Sequence, residues 1–201
     1  MKIYHAPGSR SVRIIWLLEE LGLSYDLDVM SLGDRRMREP EHLNRHPLGR
    51  VPVLEDGDVR VFESGAIVQY VLARYGDGRL CPPVDSPDFP AYLQWLHYAE
   101  GMLMPPVNTI VVETRLLPEP KRNPVNVDRA TRLLSKMLTA VDARLKGRDY
   151  LANEFSGADI MSGHACVVAS RLGADISDKP DVAAYVERLM ARPGLAKAFS
   201  L

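Results

Sequence analysis

The chain has 201 residues, of which 46% are hydrophobic, and a formal net charge of −1. This charge argues against a nucleic-acid partner, because proteins that bind nucleic acids carry a strong basic excess. No apolar run approaches the roughly 18 residues of a membrane-spanning helix, and the N-terminus lacks the apolar core of a signal peptide. The two cysteines, Cys81 and Cys166, have neither metal-binding nor dithiol spacing. We therefore expect a cytoplasmic protein with no membrane, metal or nucleic-acid partner.

The first 80 residues alternate between strand and helix patterns. In chain order we predict a strand at residues 2–6, a helix at 12–23, a strand at 25–30, a short helix near 41–45, strands at 51–54 and 59–62, and a helix at 64–75. Gly22 is expected to end the first helix. The first two strands should be parallel because a helix connects them, and Asp56-Gly57-Asp58 predicts a hairpin between the last two.

Residues 77–87 are rich in proline and glycine, which predicts an interdomain linker. Beyond it the apolar residues recur with helical spacing, which predicts helices at residues 88–103, 125–145, 156–172 and 181–191. The first of these should be kinked or ended at Pro105-Pro106. Ser156 and Asp159 have the spacing of a capping box, a folding element at a helix start. The fold class is thus a small α/β domain at residues 1–76 followed by an all-α domain at 88–201.

Val51-Pro52-Val53 places a proline at the start of the predicted third strand. Proline has no N–H to donate to a ladder, so this is a position where a strand tolerates it. With a cis bond at Pro52, the Val51 peptide groups would face outward and an extended peptide could pair with them as an added strand. A trans proline on a strand edge is the alternative, and the low frequency of cis bonds favours it for this motif alone.

Glu63 and Ser64 directly precede the predicted third helix. The first N–H groups of a helix have no partner within the helix and bind carboxylates well. Ser64 adds a hydroxyl donor and Glu63 can accept from an ammonium group, so the pair could bind a zwitterionic amino-acid head. In the alternative interpretation, Ser64 only caps its own helix.

Pro7-Gly8-Ser9-Arg10-Ser11 connects the first strand to the first helix. Ligands of parallel sheets bind at the carboxyl ends of the strands, so Ser9 is placed to meet a ligand. The alternative is that Ser9 or Ser11 is a helix N-cap.

Four segments, in this order and at these spacings, resemble the motifs of glutathione transferases: residues 8–22, 46–54, 63–67 and 155–160. The resemblance covers nearly the whole chain, although His46 and Arg50 replace the family's asparagine and lysine. On these motifs the chain is identified as a cytosolic glutathione transferase of a bacterial-type, serine-like subtype. That family implies a thioredoxin-like first domain, a cis Pro52, a helical second domain, a homodimer and glutathione as co-substrate.

The resemblance also implies roles for individual residues. The residue before the cis proline, here Val51, pairs by its backbone with the cysteinyl part of glutathione, and Glu63 and Ser64 hold its γ-glutamyl head. Arg10 and Arg50 are further expected to bind glutathione. Arg35, Arg38 or His42 are candidates for its glycyl carboxylate, and Glu100 for the amine of a glutathione in the partner subunit.

Glutathione transfer needs a thiolate. A free thiol is only about 3% ionised at pH 7, and lowering its pKa by about two units requires about 2.7 kcal/mol. A helix N-terminus supplies about 0.3–1 kcal/mol and a hydrogen bond to a charged group about 1.5–3 kcal/mol, which suffices without a general base. Family members use tyrosine, serine or cysteine for this bond. Ser9 is the predicted donor, with Ser11 and Tyr4 as alternatives, although Tyr4 also fits a packed strand aromatic.

The predicted activity is the conjugation of glutathione to small hydrophobic electrophiles. The family places the electrophile against the second domain, and the candidate pocket residues are Tyr4, Tyr98, Met102, Met104 and Pro105, with Thr109 beside them; the alternative is that these are core residues. A glutathione-dependent isomerase is disfavoured because residues 88–114 contain no arginine or lysine. A thiol-disulfide reductase lacks its nucleophilic cysteine in the first domain. A non-catalytic interaction protein on the same fold would not need the intact glutathione motifs.

Overall fold

The computed structural model describes residues 1–201, which form two compact units. Residues 1–81 and 191–201 form the N-terminal unit, and residues 82–190 form the helical unit. The N-terminal unit contains β1 (Lys2–His5), α1 (Val12–Leu21), β2 (Asp26–Val29), a 3₁₀ turn (Arg35–Arg38), α2 (Pro40–Leu43), β3 (Val53–Asp56), β4 (Val59–Phe62), α3 (Ser64–Tyr75) and, from the end of the chain, the helix Pro193–Ser200.

The sheet of the N-terminal unit has the strand order β2-β1-β3-β4. β1 and β2 are parallel, whereas β3 is antiparallel to both β1 and β4. The predicted parallel pair and the predicted hairpin are therefore confirmed, and the sheet with its helices is the expected thioredoxin-like fold. β3 begins at Val53 rather than Val51, because Pro52 has no N–H for the ladder.

α1 is buried on nearly all sides, from Val12 to Leu18. It contacts β1, α3 and the helix Pro193–Ser200, so no broad face of it is left for solvent. Gly22 ends the helix in the left-handed conformation with φ of 67°, as predicted.

The last helix packs on α1. Arg192 donates two hydrogen bonds to the Glu20 carboxylate, at 2.8 and 2.7 Å, and Lys197 pairs with Glu19 at 2.7 Å. A Cβ at Gly194 would lie 3.2–3.3 Å from α1 side chains, so the backbones approach closely. Residues 191–201 thus belong to the N-terminal unit, whereas the sequence-based division assigned them to the helical domain.

The helical unit contains α4 (Phe89–Tyr98), a π turn (Ala99–Leu103), α5 (Met104–Val111), a second π turn (Val112–Leu116), a 3₁₀ turn (Glu119–Lys121), α6 (Pro124–Leu145), a third π turn (Asp159–Gly163), α7 (His164–Arg171) and α8 (Pro180–Met190). With this naming the last helix of the N-terminal unit is α9 (Pro193–Ser200). The helical path continues past Pro105 and Pro106. Both lie in the first turn of α5, where a missing N–H costs little. None of the helices combines the length and apolar character needed to span a membrane.

The core of the helical unit includes one stripe of α6, formed by Leu134, Leu138, Val141 and Leu145. Leu133 of the same helix is 43% exposed and lies outside this stripe. The predicted capping box is confirmed, since the Asp159 carboxylate accepts from the backbone N–H and the hydroxyl of Ser156 at 2.9 and 3.1 Å.

Candidate functional site

The predicted site segments meet at one edge of the sheet, formed by the ends of β1 and β4 and the start of β3. Tyr4 of β1 is opposite Val53 of β3, and Val53 is opposite Phe62 of β4. The carboxyl ends of β1 and β4 therefore lie at the same edge as the amino end of β3. The loop with Ser9, the Val51–Pro52 bond and the Glu63–Ser64 pair directly follow or precede these strand ends, so they share this edge.

The peptide bond between Val51 and Pro52 is cis, as the resemblance implied. Pro52 is buried and Val51 packs against the apolar cluster Tyr4, Ala6, Met30, Met37 and Val53. The ladder between β1 and β3 begins at Val53, so the Val51 peptide groups lie outside it. This arrangement leaves a short stretch of backbone for an added extended peptide.

The backbone before Val51 is held by His42. This side chain is 3% exposed, and its Nε2 donates to the Arg50 carbonyl at 2.9 Å. Gly49 has φ of 59°, and a Cβ there would lie 2.3 Å from the Met37 carbonyl oxygen, so no larger residue fits without a shift. His42 is therefore a support for this segment and not, as the sequence suggested, a group that meets a carboxylate.

Glu63 and Ser64 stand at the start of α3. Ser64 is the first helical residue, only 3% exposed, and its Oγ accepts from Nη1 of the buried Arg13 at 3.0 Å. An arginine can only donate, so the Ser64 hydroxyl keeps its own proton for a further acceptor. Glu63 is exposed with φ of 73° and is itself the N-cap residue, without a side-chain capping bond. The alternative in which Ser64 caps its own helix is not what the structure shows.

Ser9 lies in the turn between β1 and α1 and is hydrogen-bonded to Ser11. The two hydroxyl oxygens are 2.6 Å apart, and the Ser11 N–H donates to the Ser9 oxygen at 3.2 Å. Ser11 is fully buried and also lies 2.8 Å from Nδ1 of His5. Ser11 occupies the N-cap position of α1, as the alternative prediction allowed, but no side-chain capping bond is made there. Burial lowers the pKa of His5, and an interaction with the Leu201 backbone opposes this only in part.

The predicted cationic residues occupy different positions in the N-terminal unit. Arg10 is half-buried in the same turn as Ser9, and Arg50 is exposed immediately before Val51. Arg35 and Arg38 are exposed on the 3₁₀ turn after β2. Arg10 and Arg50 thus adjoin the two site segments for which they were predicted.

Tyr4 lines a small polar depression, with Asp28 and Arg36 also on its wall. Its side chain is 2% exposed, and its hydroxyl donates to the Glu55 carboxylate at 2.8 Å. The guanidinium of Arg45 lies 4.6 Å from its ring centre. Burial and the Glu55 hydrogen bond raise the pKa of Tyr4. Tyr4 is therefore a packed aromatic of β1, the alternative that the sequence had left open, and its hydroxyl is already engaged with Glu55. This arrangement gives no support to its predicted roles in the electrophile pocket or as the thiolate donor.

The four pocket candidates of the helical unit have unlike surroundings. The Tyr98 hydroxyl donates to the Met137 carbonyl at 3.1 Å, and burial raises its pKa. Met104 is 5% exposed and belongs to the core, whereas Met102 is 46% exposed. Pro105 lines an open groove between α5 and α6, with Thr109 also on its wall. Of these four candidates, Met104 is a core residue, and Pro105 is the one that lines this groove.

Two buried polar residues of the site were missed in the sequence. His5 and Arg13 are both fully buried. Arg13 donates to Ser64, and His5 contacts Ser11, which is hydrogen-bonded to Ser9. The signal for Arg13 was a cation among the apolar residues of α1, where burial requires a partner. His5 gave no such signal, because an alternating strand carries polar residues on one face as a rule.

Both halves of the chain match models of known protein domains. The model described as "Glutathione S-transferase, N-terminal domain" matches residues 1–73, and "Glutathione S-transferase, C-terminal domain" matches residues 103–193. The chain is 38% identical over 197 residues to glutathione S-transferase 4 of Zea mays, covering 92% of this chain and 85% of the relative. It is 32% identical to probable glutathione S-transferase GSTF2 of Oryza sativa subsp. japonica, covering 100% of this chain and 96% of the relative.

Solved structures agree with these matches. The glutathione transferase URE2P5 from Phanerochaete chrysosporium superposes with a TM-score of 0.89 at 26% identity, covering 99% of this chain and 92% of that one. Glutathione S-transferase-I bound with lactoylglutathione gives a TM-score of 0.85 at 28% identity, covering 99% of this chain and 98% of that one. These relatives come from plants and a fungus where their source is named, and they do not confirm a bacterial-type, serine-like subtype.

Proposed function

This chain belongs to the glutathione S-transferase family, and we propose from its site that it conjugates glutathione to small hydrophobic electrophiles. The observation that carries the proposal is the sheet edge at which three segments meet: the Ser9 turn, the Val51 backbone outside the ladder and the Glu63–Ser64 start of α3. Each segment offers what one part of a γ-glutamyl tripeptide requires.

The Val51 backbone would pair with the cysteinyl residue of glutathione, as an added strand pairs with a sheet edge. Ser64 retains a hydroxyl proton, because Arg13 already donates to its oxygen, and can donate it to the γ-glutamyl carboxylate. The exposed carboxylate of Glu63 would accept from the γ-glutamyl amine, and the N-terminus of α3 favours the same carboxylate. Arg10 and Arg50 would add positive charge beside the peptide.

Ser9 would stabilise the glutathione thiolate by hydrogen bonding. Its partially exposed hydroxyl lies at the carboxyl end of β1, ahead of the first turn of α1. Tyr4 is no longer a competitor, because its hydroxyl is donated to Glu55. Ser11 is fully buried and lies behind Ser9. Ser9 is the remaining hydroxyl of the three that a ligand could reach.

The test is calorimetric titration of glutathione into the wild-type protein and into Glu63→Ala. Losing a hydrogen bond to a charged group of about 1.5–3 kcal/mol corresponds to roughly 10- to 150-fold weaker binding. Glu187→Ala, which removes an exposed glutamate of α8, is the matched control and should bind like the wild type. Wild-type protein that binds no glutathione would refute the proposal and favour the non-catalytic alternative.

We also propose that the protein is a homodimer. The support is the family resemblance together with exposed apolar side chains on the edge strand β4, where Val59 is 42% and Phe62 is 40% exposed. Sedimentation equilibrium measures the mass directly, and a mass of one 22.4 kDa chain at micromolar concentration would contradict this part.

A further inference from the structure

Ser9, Ser11 and His5 form one continuous hydrogen-bonded chain that runs from the site into the core. The Ser9 and Ser11 oxygens are 2.6 Å apart, and the Ser11 oxygen is 2.8 Å from Nδ1 of His5. Ser11 and His5 are both fully buried, so water cannot replace either partner. The only other neighbours of the Ser11 hydroxyl are the Ala6 N–H at 3.2 Å and the Ala6 carbonyl at 3.3 Å.

The number of protons available limits the directions in which these two hydrogen bonds can point. Each of the two short contacts needs one proton between its two atoms, because facing lone pairs repel. When Nδ1 of His5 carries no proton, the Ser11 proton must fill the contact with His5. The Ser9 proton must then fill the contact with Ser11, and Ser9 has none left for a ligand.

The opposite holds when Nδ1 carries a proton. His5 then donates to Ser11, and Ser11 can donate to Ser9 at 2.6 Å in preference to the Ala6 carbonyl at 3.3 Å, which leaves the Ser9 proton for an acceptor outside the hydrogen-bonded chain. The Ser9 oxygen remains satisfied, because it accepts from both the hydroxyl and the N–H of Ser11. In this geometry Ser9 can donate to a bound sulfur only if His5 is protonated at Nδ1.

We propose that His5 is a positioning residue that directs the Ser9 hydroxyl proton toward the glutathione sulfur through Ser11. The proposal rests on the proposed function, since it assigns a cause to the orientation of the Ser9 hydroxyl. His5 touches neither glutathione nor electrophile. It acts by fixing the direction of two hydrogen bonds.

The environment of His5 favours the required tautomer. Burial lowers its pKa, so the neutral ring holds a single proton at neutral pH. Nε2 is buried and makes no hydrogen bond of standard geometry, although the ring interacts with the Leu201 backbone. A proton on Nε2 would therefore lack a well-aligned acceptor, and buried donors left in this way are rarer in proteins than under-satisfied acceptors. A proton on Nδ1 is instead donated to Ser11.

The variants His5→Leu, His5→Asn and Ser11→Ala test this relay, meaning the hydrogen-bonded series from His5 through Ser11 to Ser9. His97→Asn is the matched control, because His97 is an exposed histidine of α4. The readouts are the pKa of the bound glutathione thiol, titrated by thiolate absorbance at saturating glutathione, and the separate values of kcat and KM. We expect His5→Leu and Ser11→Ala to raise the thiol pKa by about one unit, a tenfold loss of thiolate, and to lower kcat with little change in KM. His5→Asn should recover much of this loss, because its amide N–H can take the place of Nδ1–H.

The outcomes separate the relay from the function. If Ser9→Ala raises the thiol pKa but His5→Leu leaves it unchanged, the relay is overturned and the transferase assignment stands. If the wild type binds no glutathione, both are overturned. Nitrogen NMR of the His5 ring in the folded wild type reads the tautomer without any variant, and a ring protonated only at Nε2 overturns the relay even if every variant fails to fold.

Discussion

The buried carboxyl group of Asp159 organises the start of the helix that leads into α7, and its removal should be costly. Its Oδ1 accepts from the Leu151 N–H at 3.0 Å and from the Tyr185 hydroxyl at 2.7 Å. Its Oδ2 accepts from the N–H and the hydroxyl of Ser156 at 2.9 and 3.1 Å. One side chain therefore ties the preceding loop, the helix start and α8 to one another.

The cost of Asp159→Ala follows from these four bonds. The two backbone N–H groups stay buried without an acceptor, and each such group costs about 1–3 kcal/mol. A water molecule can enter the polar gap and recover part of this, so we take about 1 kcal/mol for each of the four bonds, or about 4 kcal/mol in total. For a chain of this length that corresponds to a fall in Tm of roughly 8–16 °C.

Tyr185→Phe is the matched comparison, because it removes one of the four donors and leaves the carboxyl group in place. It should cost about 1 kcal/mol, or roughly 2–4 °C in Tm. Differential scanning calorimetry of both variants measures the ratio, and glutathione calorimetry should show unchanged affinity, since the predicted glutathione ligands are in the N-terminal unit. An Asp159→Ala protein that melts no lower than Tyr185→Phe would show that the four bonds do not act as described.

Three further predictions concern the N-terminal unit. Arg192→Ala removes the two hydrogen bonds to Glu20, so α9 amides should exchange faster and stability should fall by about 1 kcal/mol; unchanged α9 protection in hydrogen-exchange mass spectrometry would contradict this. Ser64→Ala removes the hydroxyl that would donate to the γ-glutamyl carboxylate, so it should weaken glutathione binding roughly 10- to 150-fold by calorimetry, as expected for a lost hydrogen bond to a charged group. The hydrogen bond from Tyr75 lowers the pKa of Asp56, so this stabilisation is present above the unfolded pKa of about 3.9 and is lost as the pH falls through the lower native value. Asp56→Asn should therefore lower the urea midpoint at pH 7 but much less at pH 3.

Local signals in the sequence predicted most of the first sheet and its helices. The bounds of β4 and α3 agree with the predicted ones, because a Gly-containing turn and a helical period are properties of neighbouring residues. The path around Pro105 was less predictable. The π turn Ala99–Leu103 lies just before α5, so Pro105 and Pro106 fall in the first turn of that helix. The spacing of the apolar residues does not predict a π turn at this position. α9 shows the same limit, since its period predicts a helix but not that the helix packs on α1.

The candidate site divides in a similar way. Ser9, Val51 and Glu63 were predicted as site residues from short motifs at turns and strand starts, which depend on neighbouring residues only. The structure places all three at one edge of the sheet. For Tyr4 and Met104 the sequence left open whether they line a pocket or belong to the core, and the structure buries both, at 2% and 5% exposure. Exposure depends on distant segments, so alternation and residue type could not decide between the two.

Three buried basic side chains each hold one of these segments. His5 contacts Ser11 behind Ser9, Arg13 donates to Ser64, and His42 donates to the carbonyl that precedes Val51. Burying such groups costs free energy unless each is hydrogen-bonded, and apolar residues of similar volume would avoid that cost. Each of these three bonds ends on a residue of the site or on its immediate neighbour. We therefore expect these side chains to orient the three segments rather than to stabilise the core, and replacing one of them should impair its own segment while the other two keep their geometry.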